Sequence, residues 1–193
     1  MSAQAIPSFT PEQYLEIDRA SQCRNEYLDG HIYAMAGGSP AHSYLAVAII
    51  SELRQALRNR GCQVANCDLR VRTSERGPYF YPDATVFCGE ADTSGEDDIA
   101  TNPILIVEVL SKSTEAFDRG EKFAWYRKIE SLKEYVLVSQ TEPRVETFVR
   151  SEQGGWTFTE FAGIDAVCRF ASVGCEIPVA AIYEGIELEE RAG

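Results

Sequence analysis

One carboxylate interrupts an otherwise apolar segment of the sequence. Residues 104–110 read Ile-Leu-Ile-Val-Glu-Val-Leu, and Glu108 is the polar residue in that run. Side chains two apart share a face of a strand, so Glu108 lies beside Ile106 and Leu110 while its neighbours point the other way. Both faces are apolar, which is typical of a central strand. A carboxylate buried there is costly unless it is paired or binds a metal. No arginine lies within the strand to pair with it, so a functional carboxylate is favoured over a structural ion pair.

A second carboxylate opens another apolar run. Asp83 follows Pro82 directly and precedes Ala-Thr-Val-Phe-Cys. On its own, Asp83 is equally consistent with an ordinary Pro-Asp turn. If Asp83 and Glu108 lie on adjacent strands and face one cleft, they form a site for a hard cation. Mg²⁺ prefers one or two carboxylates plus water and phosphate oxygens, and such a cation can orient and acidify a water.

The same residues carry a resemblance to a known family. Pro82-Asp83 followed by Glu108 resembles the PD-(D/E)xK nuclease pattern. The segments around them (YPDATVFCGE, NPILIVEVLSKSTEAFDRGEKFAWYRKI and SLKEYVLVSQTEPRVETFVR) more closely resemble the Uma-two family, from about Tyr14 to about Tyr183. The resemblance implies an α/β fold with a restriction-endonuclease-like core, in which a central mixed β-sheet is flanked by helices. It also implies that Asp83 and Glu108 are metal ligands. The mechanistic hypothesis that follows is that these two residues and the carbonyl of Val109 hold one Mg²⁺ or Mn²⁺.

The chain departs from the superfamily pattern at one position. The pattern places a lysine two residues after the glutamate, where this chain has Leu110. Lys122, in the following Asp-x-x-Glu-Lys stretch, is the favoured replacement on the resemblance, and Lys112 is the alternative. Lys122 could instead form a weak surface pair with Asp118, four residues earlier.

Four further residues are weaker candidates. Glu26 matches an early glutamate of the family and would add a third carboxylate, although an exposed strand-start glutamate is equally expected. His42 could face the cleft, but a surface histidine is favoured. Asp68 and Arg70 share a face of their predicted strand and either line the cleft or pair with each other.

Residues 1–193 are expected to form a single restriction-endonuclease-like domain around these candidates. The capping-box pattern at Thr10 predicts a helix start, and Asp29-Gly30 predicts a hairpin turn. A long helix is predicted over Pro40–Arg60 and another over Thr114–Ile129. One half-buried strand is predicted over 62–73 and another strand is entered through Pro82, followed by an acidic surface loop at 90–101. Three further strands are predicted between 134 and 161, and a short closing helix over 178–186.

The bulk composition restricts the function. The net charge of −12 argues against strong non-specific binding of nucleic acid by the monomer, and a homodimer could gather basic edges into one groove. The six cysteines show no Cys-x-x-Cys spacing and are expected to be reduced structural thiols, with Cys88 a buried hydrophobe. No apolar run approaches the ~20 residues of a membrane span, and no signal peptide is evident. The expected location is therefore the cytoplasm.

These observations lead to three functional hypotheses. The favoured one is a metal-dependent nuclease that hydrolyses phosphodiester bonds of DNA. The alternative is a catalytically inactive protein with the same fold that acts as an interaction or assembly module, a view that Leu110 and the acidic charge favour. The third is a phosphoesterase acting on a small nucleotide. The chain has no Gly-x-Ser-x-Gly elbow and no phosphate-binding P-loop.

Overall fold

Thirteen strands and several helical segments make up the part of the chain that the computed structural model describes, residues 8–35, 37–93 and 95–188. In chain order they are α1 (Pro11–Ala20), β1 (Asn25–Leu28), β2 (His31–Ala34), α2 (Pro40–Ala56), β3 (Cys62–Asn66), β4 (Arg70–Arg72), β5 (Tyr79–Phe80), β6 (Ala84–Cys88), β7 (Ile99–Ala100), β8 (Leu105–Val109), α3 (Glu115–Phe117), a π-helical turn (Asp118–Lys122), α4 (Phe123–Tyr126), β9 (Glu134–Val138), β10 (Arg144–Arg150), β11 (Trp156–Ala162), β12 (Val167–Phe170), β13 (Cys175–Pro178) and α5 (Val179–Ile182).

A six-stranded mixed sheet forms the centre of the fold. Its strand order is β11-β10-β9-β8-β6-β3. Strand β8 pairs parallel with β9 and antiparallel with β6, so the strand that carries Glu108 is central, as predicted. A second sheet, with the order β2-β1-β5-β4-β7, contributes Glu26 and the residues around Phe80. The predicted α/β fold with a central mixed sheet is confirmed.

The two faces of β8 belong to different parts of the core. Val107 and Val109 pack with the buried stripe of α2, which includes Leu45, Ile49 and Leu53. Ile106 and Leu110 pack on the opposite side, in a cluster with Tyr126 and Tyr135. Glu108 therefore projects among the side chains that α4 and β9 bring to that face.

Local sequence signals predicted several elements correctly. Thr10 caps α1 in a complete capping box, and Asp29-Gly30 forms the turn between β1 and β2. The three strands between 134 and 161 and the closing helix are also present.

Other predicted elements were wrong in extent. The long helix ends at Ala56 rather than Arg60. The segment 62–73 forms β3 and β4 in different sheets rather than one strand, because a turn intervenes. The segment 90–101 is not entirely a surface loop, since Ile99–Ala100 is buried and pairs parallel with β4. The 114–129 helix is broken into α3, the π-helical turn and α4, and β12–β13 was not anticipated.

The cysteine prediction was wrong for one pair. Cys62 and Cys88 are opposite each other across the antiparallel β3–β6 pair and form a disulfide. Cys88 is consequently exposed rather than a buried hydrophobe. Among the free thiols, Cys168 and Cys175 are buried, and burial raises the pKa of the Cys168 thiol. In the described part of the chain, every helix is too short or too polar to cross a lipid bilayer.

Candidate active site

The candidate residues meet at a pocket of about 500 Å³. The pocket lies where the end of β8, the β1–β2 hairpin and the π-helical turn come together. Its charged lining includes Glu26, Asp83, Glu108, Asp118 and Lys122. These charged residues come from four separate parts of the sequence and converge on one cavity.

Asp83 is held against the end of β8. It lies just before β6, the antiparallel neighbour of β8. Its Oδ2 accepts a hydrogen bond of 2.7 Å from the backbone N–H of Val109 and lies 3.3 Å from Nε2 of His42. The other carboxylate oxygen, Oδ1, takes part in neither contact. The Pro-Asp segment thus does more than form a turn, because its side chain reaches the next strand.

Glu108 is paired with a lysine and a tyrosine deep in the pocket. Its Oε1 lies 3.0 Å from Nζ of Lys122 and accepts a hydrogen bond of 2.8 Å from the hydroxyl of Tyr126. Burial raises the pKa of Glu108 well above its ordinary value, and the Lys122 charge opposes that shift. The negative charges of nearby Asp118 and Asp83 add to the rise.

Lys122 is buried and touches three carboxylates. Besides Glu108, its Nζ lies 3.1 Å from Glu26 and 3.7 Å from Asp118. Its side chain is 7% exposed, so a surface pair with Asp118 is excluded. Burial alone would lower the pKa of this amine, but the three carboxylates outweigh burial and raise the pKa well above its ordinary value. Lys122 therefore remains charged.

A π-helical turn supplies both Lys122 and Asp118. The turn spans Asp118–Lys122, and its position is fixed from β9 because the Tyr135 hydroxyl donates a hydrogen bond of 3.0 Å to the Asp118 carbonyl. Phe123, directly after the turn, stacks on the Tyr135 ring at a centroid distance of 4.8 Å. Turns of this type are rare in helices and are frequent at functional sites.

Glu26 reaches the pocket from the second sheet. Its Oε1 accepts a hydrogen bond of 3.2 Å from the backbone N–H of Tyr81 while it pairs with Lys122. The side chain is 15% exposed, so Glu26 is not the exposed strand-start glutamate of the alternative interpretation.

His42 is the residue that sequence reasoning placed wrongly. The histidine lies in the first turn of α2, where Ser39 caps the helix by accepting from the His42 backbone N–H. Ser39 also donates to Gln140, at the end of β9, at 2.7 Å. These contacts turn the imidazole toward Asp83, whose hydrogen bond raises the pKa of His42 despite partial burial. No local signal marks this contact, since it joins α2 to the approach of β6.

Three other sequence candidates lie elsewhere. Lys112 is exposed and does not line the pocket. Asp68 pairs with Arg24 rather than with Arg70. Arg70 is buried and forms an ion pair of 2.6 Å with Asp18. These residues are structural, and neither Asp68 nor Arg70 lines the pocket.

The charges around the pocket fit a divalent cation. Carboxyl groups outnumber cationic ones there, because the pocket is lined by one lysine and by five acidic side chains: Glu26, Asp83, Glu108, Asp118 and Glu121. Carboxylate and carbonyl oxygens are the ligands that Mg²⁺ and Mn²⁺ accept. Among the residues that the structure describes, no three His, Cys, Asp or Glu side chains are already gathered into a ligand cluster. Two carboxylates, a carbonyl and water form a ligand set that is common for Mg²⁺.

Comparisons with known proteins show the family to which the chain belongs. The Uma2 family, described as "Putative restriction endonuclease", matches residues 11–180. The Synechocystis sp. protein slr1290 is 36% identical over 181 residues, which cover 94% of each chain. The Synechocystis sp. protein sll1609 is 34% identical over 84% of this chain and 92% of its own.

The fold is also found in a solved structure. The chain resembles a crystal structure from Anabaena variabilis, described as "a putative nuclease belonging to DUF820", with a TM-score of 0.73. The match covers 91% of this chain and 97% of that one at 16% identity. At this identity the likeness establishes the fold, which is restriction-endonuclease-like.

Proposed function

Because the chain belongs to the Uma2 family, we propose that it is a nuclease that hydrolyses phosphodiester bonds of DNA with the help of Mg²⁺ or Mn²⁺. The observation that carries the proposal is the convergence of Asp83, Glu108, Lys122 and Glu26 on one pocket. Buried charged groups of this kind are costly for stability alone, so their collection in an open cavity favours a chemical role.

Each residue has a distinct role in this proposal. Asp83, Glu108 and the carbonyl of Val109 would hold the cation. When bound, the cation would acidify a water and offset charge on the phosphate. The Lys122 ammonium, 3.0 Å from Glu108, would bind a phosphate oxygen and steady the water for in-line attack. Glu26 keeps Lys122 charged and pointed into the pocket.

His42 fits this arrangement as a positioning residue. Its Nε2 contacts the same Asp83 oxygen that accepts the Val109 backbone N–H. That pair of contacts fixes the carboxylate plane and keeps Oδ1 for the cation.

The experiment pairs metal binding with cleavage. Calorimetry with Mn²⁺ and a gel assay on plasmid and oligonucleotide DNA are run on wild type and on the double variant Asp83→Asn with Glu108→Gln. Matched controls are Asp165→Asn and Glu152→Gln, which alter exposed carboxylates outside the pocket. We expect the double variant to lose cation binding and cleavage, while both controls retain them.

The alternative function predicts a different pattern. An interaction or assembly module, which the leucine at position 110 and the charge of −12 favour, would keep its fold and cleave nothing. Wild-type protein that binds a cation through Asp83 and Glu108 but leaves every nucleic acid intact supports that module. Equal cleavage by wild type and the double variant would refute the site assignment. Light scattering on the same samples tests the proposed homodimer.

A further inference from the structure

The pocket has an apolar wall that the proposed hydrolysis does not use. Besides the charged groups, the cavity is lined by Leu28, Tyr33, Met35, Phe80 and Phe117. Phe80 and Leu28 are buried members of this lining. Charge chemistry at a phosphate does not need such a surface, but binding of a flat apolar group does.

Tyr33 is the exposed aromatic ring on this wall. Its side chain is 53% exposed, although the aromatic side chains Tyr14, Tyr126 and Tyr135 are fully buried. Single exposed apolar side chains are common on protein surfaces, but this ring also lines the pocket and is therefore accessible to a ligand bound there.

The register of the β1–β2 hairpin places Tyr33 beside the charged groups. Tyr33 is directly opposite Glu26 in the antiparallel pair, and side chains of such a pair extend from the same face of the sheet. Glu26 in turn contacts Lys122. The ring therefore borders the position at which Lys122 would receive a phosphate.

We propose that Tyr33 stacks on an unpaired nucleobase next to the scissile phosphate, so that the substrate is nucleic acid with a single-stranded nucleotide at the cleavage site. This inference rests on the proposed nuclease function and names its substrate class. Bases in a duplex are stacked on each other and offer no free face to Tyr33. Aromatic stacking is tolerant of sequence and gives affinity without many phosphate contacts. That suits a chain with a net charge of −12, which gains little from a long phosphate interface.

The test measures binding and base dependence together. Fluorescence anisotropy measures the binding of a short labelled DNA single strand, of the same strand with one abasic nucleotide, and of the matching duplex. Ca²⁺ is added to occupy the proposed cation site, since it also binds oxygen ligands. The variants are Tyr33→Ala and Tyr33→Phe. The matched control is Tyr44→Ala, because Tyr44 is 60% exposed on α2 and lies outside the pocket.

We expect Tyr33→Ala to weaken single-strand binding on the order of tenfold, the effect typical of losing one base–aromatic stack. Tyr33→Phe and Tyr44→Ala should bind as wild type does. In wild type, moving the abasic nucleotide along the strand should reveal one position that weakens binding, and in Tyr33→Ala that position should have no effect. This coupling separates stacking from a general loss of structure.

Three results would overturn the inference. Equal binding by Tyr33→Ala and Tyr44→Ala, in a protein that cleaves DNA, removes the role of Tyr33 and leaves the nuclease function standing. If the protein binds duplex more tightly than single strand and an abasic nucleotide has no effect, the role of Tyr33 is again removed and the nuclease function is left standing. A wild-type protein that neither binds nor cleaves any nucleic acid overturns both the inference and the proposed function.

Discussion

Replacing Lys122 by methionine removes the positive charge from the centre of the pocket and keeps a side chain of similar length. In the wild type the ammonium lies 3.0 Å from Glu108, 3.1 Å from Glu26 and 3.7 Å from Asp118. Removing one partner of a buried ion pair costs about 3–5 kcal/mol, because the other charge stays buried without compensation. That is a large part of the roughly 5–15 kcal/mol that stabilises a domain.

The expected thermal effect follows from the size of the chain. A loss of 1 kcal/mol lowers Tm by roughly 2–4 °C in a domain of 150–250 residues, so about 3–5 kcal/mol corresponds to roughly 6–20 °C. Differential scanning calorimetry at neutral pH measures this shift. Lys112→Met is the control, since Lys112 is exposed outside the pocket and should change stability by less than about 0.5 kcal/mol.

The same variant separates two roles of Lys122. Below its Tm, Lys122→Met should still bind Mn²⁺ because Asp83, Glu108 and the Val109 carbonyl remain, but it should lose DNA cleavage. Thermal stability indistinguishable from that of Lys112→Met would refute the argument from the buried charges. Full cleavage by folded Lys122→Met would refute its proposed chemical role.

Two further predictions concern the charged network away from the pocket. Arg70→Met should destabilise the protein by about 3–5 kcal/mol in urea unfolding, because it leaves the buried carboxylate of Asp18 without its guanidinium. The control Arg169→Met changes an exposed position and should have little effect. Equal urea midpoints for the two variants would contradict this prediction. The guanidinium of Arg19 holds the pKa of Asp98 at about 2, below an unfolded value of about 3.9. A lowered folded-state pKa stabilises the fold above the unfolded pKa, and this contribution is lost as pH falls toward 2. Wild type should therefore be more stable than Asp98→Asn at pH near 7 and lose that advantage near pH 2, which urea midpoints at both pH values would check.

The sequence predicted the strand that carries Glu108 and the strand that begins after Asp83 because the relevant signals are local. Glu108 stands out within a seven-residue apolar run, and Asp83 follows a proline at the start of another. Alternation along a strand then shows which residues share a face. Local patterning is sufficient for these inferences, since it depends only on the period of the backbone.

The rest of the site depends on contacts between distant segments. The contact of His42 with Asp83 joins α2 to the segment before β6, and Ser39 ties the start of α2 to Gln140, which lies just after β9. The π-helical turn that interrupts the 114–129 helix likewise makes a tertiary contact, since the Asp118 carbonyl accepts a hydrogen bond from the Tyr135 hydroxyl. Neither feature has a periodic signature, so propensity and patterning favoured a continuous helix and a surface histidine.

The disulfide was missed for the same reason. Cys62 and Cys88 are opposite each other only in the register of β3 on β6. Their separation of 26 residues gives no indication of that register. Cysteine spacing alone therefore favoured free thiols.

The position of the lysine can be tested by moving it. Leu110 occupies the place where the PD-(D/E)xK pattern has its lysine, on the same strand face as Glu108. In this chain Leu110 is buried in the cluster with Phe123 and Leu137. Its carbonyl accepts from the Gln140 side chain at 2.6 Å. The leucine therefore supports the core, and Lys122 reaches Glu108 from the π-helical turn instead.

The double variant Leu110→Lys with Lys122→Met should therefore regain part of the cleavage activity that Lys122→Met loses. A lysine at position 110 shares a strand face with Glu108 and can bring its ammonium group to that carboxylate. It should also be less stable than Lys122→Met, since burial of a leucine side chain contributes about 1.5–3 kcal/mol. Cleavage per folded molecule and urea midpoints, measured on both variants, give the two quantities. A folded double variant with no more cleavage than Lys122→Met would show that contact with Glu108 is insufficient, and that the simultaneous contacts of Lys122 with Glu26 and Asp118 are required.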